Sequence, residues 1–243
     1  MSKRFLSLAV AVSLLAVPAF AKRRAVRAPG GVAAPQCFTF GFVAAGTSAS
    51  YLSTTPSGNV TFTINYLSDT ATQTHTTQSV TTPQATTQVE TIVTGEVAGP
   101  LRSLKHVYTK SVTPVPVIGA SVIEVDIDFV PALVAGPASG WCEGARWTVP
   151  ASTETVVTKG TFGQQQQIVT TAASEGEVLA VDETLTVPGG TFQTVKYRGA
   201  LISVSNVQTA ITWVSMERNL VVRQDTLDAG GAVTTTTQLT ALQ

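Results

Sequence analysis

Apolar and polar residues alternate with a period of two along most of this chain. Between positions 177 and 187, Leu179, Val181, Leu185 and Val187 share one face, and Ala180, Asp182, Thr184 and Thr186 share the other. That is the pattern of a strand with one buried side. Pro188-Gly189-Gly190 follows, a φ fixed at about −65° and then a residue free to take φ > 0, which predicts a type II turn. Val195, Tyr197 and Leu201 then alternate with Thr194, Lys196 and Arg198 as the return strand.

The same period recurs on both sides of this hairpin. Phe38, Phe40 and Phe42 predict a first strand with an aromatic core face, and Val60, Phe62, Ile64 and Tyr66 a second. Across residues 70–87 threonine replaces almost every apolar residue, which predicts an edge hairpin or a mobile loop ended by Pro83. Strands are expected over 87–94 and 104–112. The best-formed strand, 121–129, sets Ile123, Val125, Ile127 and Phe129 against Glu124, Asp126 and Asp128. A Pro/Gly/Ala-rich connection over 131–140 leads to strands over 141–149, 153–158, 167–171, 210–216, 220–224 and 232–242.

No window after the first 21 residues has helical periodicity, and no repeat is present. The chain therefore reads as all-β, a curved antiparallel meander forming a half-barrel or open barrel; a two-sheet β-sandwich is the alternative. Residues 36–243 are expected to form a single domain.

Composition changes this picture at the N-terminus. Lys3 and Arg4 precede an apolar run over 6–17, and Ala19-Phe20-Ala21 has the small residues of a signal-peptidase site. Residues 1–21 are thus expected to be a signal peptide cleaved after Ala21, followed by a disordered basic leader over 22–35. The expected address is the periplasm or the extracellular space, with no spanning segment in the mature chain. The formal charge is zero, but from Gln36 onward nine bases face all fifteen acids, a net charge near −6. A nucleic-acid partner needs a basic stripe on the folded part and is not expected. Charged residues make up only 12% of the chain, so threonine hydroxyls must cover the solvated strand faces.

Cys37 and Cys142 are the only cysteines and admit one pairing. In an exported chain a disulfide is expected. Bridging them closes a loop of about 105 residues, worth ~4–5 kcal/mol in the chain-entropy model.

Candidate chemistry is sparse. Glu124, Asp126 and Asp128 share a strand face without the wrapping loop of a calcium site, and read as solvated. His75 and His106 lie in different strands, so neither a metal centre nor a cofactor is expected. There is no nucleophile elbow, zinc motif or phosphate loop, and the chain is not expected to be an enzyme. Glu183 falls on the apolar side of its strand and needs a partner there, with Arg146, Lys196 and Arg198 as candidates. Trp141, Trp147, Phe192, Tyr197 and Trp213 concentrate in the second half. Together with Glu183 they are the candidate lining of a ligand cavity in a curved sheet with no helix to fill it.

Four of these features together resemble an uncharacterised bacterial envelope family sometimes called TapB-like. They are Pro131 with Gly140-Trp141 (or the run from Gly144 to Trp147), the hairpin Val187-Pro188-Gly189-Gly190-Thr191-Phe192, the strand led by Trp213, and Asn219-Leu220-Val221. The likeness covers roughly residues 131–239. Gly189 stands for the usual alanine, Asn219 for glycine and Val214 for tyrosine. The resemblance implies a curved open barrel like those of lipoprotein carriers, in the cell envelope, with no assigned reaction. The function expected is therefore non-catalytic: binding or carrying an apolar ligand, with a structural or surface protein-interaction domain as the alternative.

Overall fold

The computed structural model describes residues 37–82, 85–98, 101–116, 119–137, 140–203 and 206–243. It is all-β. The strands are β1 (Cys37–Phe38), β2 (Ser48–Thr55), β3 (Gly58–Asp69), β4 (Gln73–Thr81), β5 (Thr86–Ala98), β6 (Leu101–Val115) and β7 (Gly119–Ala135). They continue with β8 (Trp141–Cys142), β9 (Arg146–Gly160), β10 (Gln165–Val187), β11 (Gly190–Ser203), β12 (Asn206–Ser215), β13 (Val221–Leu227) and β14 (Val233–Leu242). Twelve of them form one antiparallel barrel in which neighbours in sequence are neighbours in the wall, β9 following β7, and β14 pairs with β2 to close the ring. The expected curvature thus runs to completion. Closure satisfies the backbone groups that an open meander would leave along its two edges.

The remaining pair, β1 with β8, stands apart from the wall. Cys37 lies opposite Cys142 and the two are bonded, while Phe38 lies opposite Trp141. The stretch read as an aromatic strand is a strand only at Cys37–Phe38. Beyond it the chain lies across the base of the barrel. Asn219 Oδ1 accepts from the Gly41 amide at 2.7 Å, Asn219 Nδ2 donates to the Phe42 carbonyl at 3.4 Å, and Asp69 Oδ2 accepts from the Val43 amide at 2.8 Å. Asn219 itself has φ 56°, a conformation that asparagine tolerates where most residues do not. Its backbone therefore makes the β12–β13 turn while its side chain holds the plug.

Three sequence expectations change for identifiable reasons. First, the threonine-rich stretch is neither an edge nor a loop: β4 pairs with β3 and β5, and Thr74, Thr76, Gln78 and Val80 are buried. Inside a barrel a hydroxyl-bearing side chain fills a lumen position as an aliphatic one does, so burial no longer follows hydrophobicity. Second, Pro131 does not end its strand. β7 continues to Ala135, but its pairing with β9 stops at Val130, so the proline lacks a donor only where β7 has no neighbour on that side. Pro83 lies outside the described residues. Third, the turn at Pro188 is not type II: the positive φ, 136°, belongs to Gly190, not Gly189. Gly189 is required for proximity instead. Its amide donates to the Leu239 carbonyl at 2.9 Å, and a Cβ there would lie 2.9 Å from Leu239 Cγ. The β10–β11 hairpin is thereby folded against β14 at the base.

Packing in the lower barrel is aromatic. Tyr51 stacks on Phe62 with centroids 5.2 Å apart, and its hydroxyl donates to the Val221 carbonyl at 2.9 Å. Burial raises the phenol pKa of both Tyr51 and Tyr66, since the phenolate would have to form away from water; neighbouring Tyr66 adds to the first shift and Asp69 to the second. A raised folded-state pKa favours the native state fully below about pH 10. Above that the unfolded tyrosines ionise and the folded ones do not, so stability falls by up to ~1.4 kcal/mol per pH unit for each. The urea midpoint is expected to hold near pH 9 and to drop from about pH 10 to 11, and to drop less in Tyr51→Phe and Tyr66→Phe proteins. A midpoint flat over that range would contradict the burial of these hydroxyls.

Candidate functional site: the upper barrel lumen

Register identifies which side chains point inward, and burial along each inward row changes with height. On β7 the row runs from Phe129, 7% exposed, through half-buried Ile127 and Val125 to Ile123 at 38%. On β10 it runs from Ala172 at 1% through half-buried Thr170 to Ile168 at 46%. β5 goes from buried Val93 and Thr91 to half-buried Val89 and Thr87, and β6 from Val107 and Thr109 to Ser111 and Thr113. On the opposite wall, β2 goes from Ala49 and Tyr51 to Ser53 and Thr55, and β14 from Leu239 and Thr237 to Thr235. These rows agree: the lower lumen is filled and the upper lumen is reached by solvent. β4 is the exception, buried up to Val80 at 8%.

The upper chamber is lined by Ile123, Val125, Ile127, Val156 and Ile168 interleaved with Ser111, Thr113, Thr158 and Thr170. Glu154 faces the same way, opposite Phe129 on one side and Thr170 on the other. The strand cations Lys110, Lys159, Lys196, Arg198 and Arg223 all take outward register positions. Where the filled and open parts meet, Gln78 Nε2, Ser152 Oγ and Thr170 Oγ1 are buried without a hydrogen-bond partner. The chamber is thus aliphatic with hydroxyl groups between, a surface suited to a mainly apolar guest.

The six cavity candidates divide into two groups. Trp141, Trp147 and Tyr197 come together in the base, where Trp141 lies 5.5 Å from Trp147 and 5.0 Å from Tyr197 between ring centroids. Phe40 packs on Trp141 at 4.8 Å and on Phe38 at 5.0 Å. This cluster of edge-to-face and tilted rings, with the N-terminal segment inserted in it, is the floor of the chamber. Phe192 is half-buried in the hairpin folded against β14 and packs on the same core. Trp213 and Glu183 lie on the outer face. Trp213 is opposite Lys196 and Arg223, which flank its ring at 5.0 and 5.1 Å, and Glu183 Oε2 lies 3.6 Å from Lys196 Nζ. The partner of Glu183 is therefore Lys196; Arg146 pairs with Glu177 at 2.9 Å.

The cause of the outward placement of Glu183 is two irregularities in β10. The pairing with β11 slips between Val178 and Ala180 and again between Val181 and Glu183, where Asp182 has φ 67°. Each bulge inverts the alternation. Val178, not Leu179, shares the inward face with Val181, and Glu183 turns out. Several other outward positions are polar and paired: Lys110 with Glu124 at 3.4 Å, Lys159 with Asp126 at 3.6 Å, His106 with Asp128 at 2.8 Å and His75 with Glu90 at 2.9 Å. The acidic row read as solvated thus forms exposed ion pairs, each worth at most about 1 kcal/mol.

Fold and site together define an up-and-down β-barrel with a packed base and an open mouth. No family model matches the chain, and no curated protein matches it. Among solved structures it is similar to a "putative lipoprotein" from Parabacteroides distasonis ATCC 8503. The identity is 14% over 82% of this chain and 96% of that one, with a TM-score of 0.38. A likeness of that degree carries no argument about function. The bonded cysteines bear on the compartment instead: structural disulfides form and persist in oxidising surroundings.

Proposed function

We propose that this protein is an exported, non-catalytic carrier of the cell envelope that holds an apolar ligand in the upper chamber. The observation that carries the reading is the burial gradient along the inward rows, which leaves Ile123, on a strand paired with β6 on one side and β9 on the other, facing the lumen yet 38% exposed. Aliphatic side chains inside a closed wall but open to water are an unfilled binding surface. The signal-like residues 1–21 with a cleavage site after Ala21, and the likeness to the TapB-like envelope family, support the compartment. The polar outer face, with ion pairs at mid-strand, supports a barrel surrounded by water, since a membrane-spanning barrel needs an apolar outer band.

A neutral fluorescent probe, N-phenyl-1-naphthylamine, is expected to bind the mature protein saturably. Val125→Asp, which puts a carboxylate on the chamber wall, is expected to weaken binding at least tenfold; Ser79→Asp on the outer face is expected to leave it unchanged. No saturable fluorescence, or equal loss in both variants, would overturn the chamber as the site. The second reading, a protein-interaction domain, is favoured by Gln165–Thr171 of β10, which pairs with β9 but has no partner on its other side among the described residues.

A further inference from the structure

Strand β10 rises above the wall it belongs to. On one side it is paired with β9 from Gln165 to Glu177, while on the other its pairing with β11 begins only at Ala172, opposite Ser203. Gln165–Thr171 therefore has one side without a partner among the described residues. An otherwise closed barrel exposes a sheet edge here.

The sequence of this edge is Gln165-Gln166-Gln167-Ile168-Val169-Thr170-Thr171, with no charge and no proline. Natural edges are usually blunted by lysine, proline or a bulge; the nearest bulge, between Ala172 and Ser174 on the β9 side, lies below the free segment. Apolar exposure concentrates around it as well. Of the eight large apolar side chains exposed among the described residues, Ile168 (46%) and Val169 (61%) are on the edge and Phe162 (74%) is in the adjoining β9–β10 turn. Val207 (61%) lies at the foot of the step, at the start of β12.

We propose that this edge pairs with the same edge of a second copy, antiparallel about a two-fold axis at Ile168. Three properties favour self-pairing. An antiparallel strand is self-complementary under a two-fold, so one patch supplies both halves of the interface. The register sets Gln165 opposite Thr171, Gln166 opposite Thr170 and Gln167 opposite Val169 of the second copy, keeping inward residues inward and outward residues outward. Finally, the folded part carries a net charge near −6, and this uncharged strip lets two such copies approach without setting like charges opposite each other. The tall walls of two barrels then form one continuous sheet, and Val169 is covered by the Gln167 stem of the other copy.

Sedimentation velocity of the mature chain from 1 to 100 µM is expected to show a monomer–dimer equilibrium. Gln167 and Val169 point outward and are exposed, so replacing them should not disturb the fold, which circular dichroism and melting temperature check. Q167K/V169K places lysine opposite lysine twice and is expected to weaken the dimer at least thirtyfold. Q167K/V169E places lysine opposite glutamate in the same register and is expected to restore it. A wild-type monomer at 100 µM, a dimer indifferent to Q167K/V169K, or no recovery in Q167K/V169E would overturn the proposal. So would a monomer whose 165–171 amides are protected from exchange until residues 22–36 are removed, since the leader would then be the strand on that edge.

Discussion

Trp147→Ala is expected to cost about 3–5 kcal/mol of stability, the range for deleting a buried indole. The ring is 9% exposed and crosses the wall from β9 onto β10 at Gly176, whose side-chain position it occupies: a Cβ on Gly176 would overlap the indole and the Arg198 carbonyl. Its Nε1 donates to Ser174 Oγ at 3.2 Å, and Ser174 Oγ donates to the Val134 carbonyl at 2.9 Å, so one side chain links β9, β10 and β7. Gly176→Ala is expected to cost about 1–3 kcal/mol by overpacking. It should cost less in the Trp147→Ala background, because the ring that the methyl meets is gone. Urea titrations of the four proteins of this cycle measure the coupling. Strict additivity would mean that the indole does not lie over Gly176.

Removal of the disulfide in C37A/C142A should be comparable in size. The bridge spans 105 residues, for which the chain-entropy model gives ~4–5 kcal/mol and practice about 2–5. Its position makes the effect local as well as global. Cys37 and Cys142 are the ends of the two short strands that bring Phe38 and Phe40 against Trp141. Without the bridge, the N-terminal segment keeps its short pairing with β8, its aromatic contacts and its hydrogen bonds to Asn219 and Asp69, but no covalent tie. The expected result is a melting temperature lower by roughly 10 °C, with the far-ultraviolet spectrum of the barrel retained and the tryptophan emission shifted to the red. An unchanged midpoint would show that the plug does not depend on its covalent tie.

Much of this architecture was legible because strand alternation needs only residue order. The row of Ile123, Val125, Ile127 and Phe129 is one face in the sequence and one face in the barrel, and the pairing of two cysteines had no rival. Other features depend on the wall as a whole. β4 reads as a polar loop because the rule that buried means apolar weakens in a lumen, where Thr74 and Thr76 are buried. Glu183 reads as a cavity residue because the slips beside Leu179 and Asp182 are invisible in the pattern. Trp213, 7% exposed, is buried on the outside, where Lys196 and Arg223 flank its ring. The chamber itself is a property of height, not of face: the alternation marks Ile123 and Phe129 alike, and only the plug at the base makes one of them floor and the other mouth.

The measurement that tests the open chamber most directly is native mass spectrometry of the mature protein, purified from its own envelope without detergent. The account predicts a reproducible excess mass of roughly a few hundred daltons, an apolar guest of the size such pockets enclose, lost on organic extraction and absent from the Val125→Asp protein. A bare polypeptide mass in every preparation, with the disulfide intact, would contradict a tight-binding carrier and leave the chamber as unfilled space above the plug.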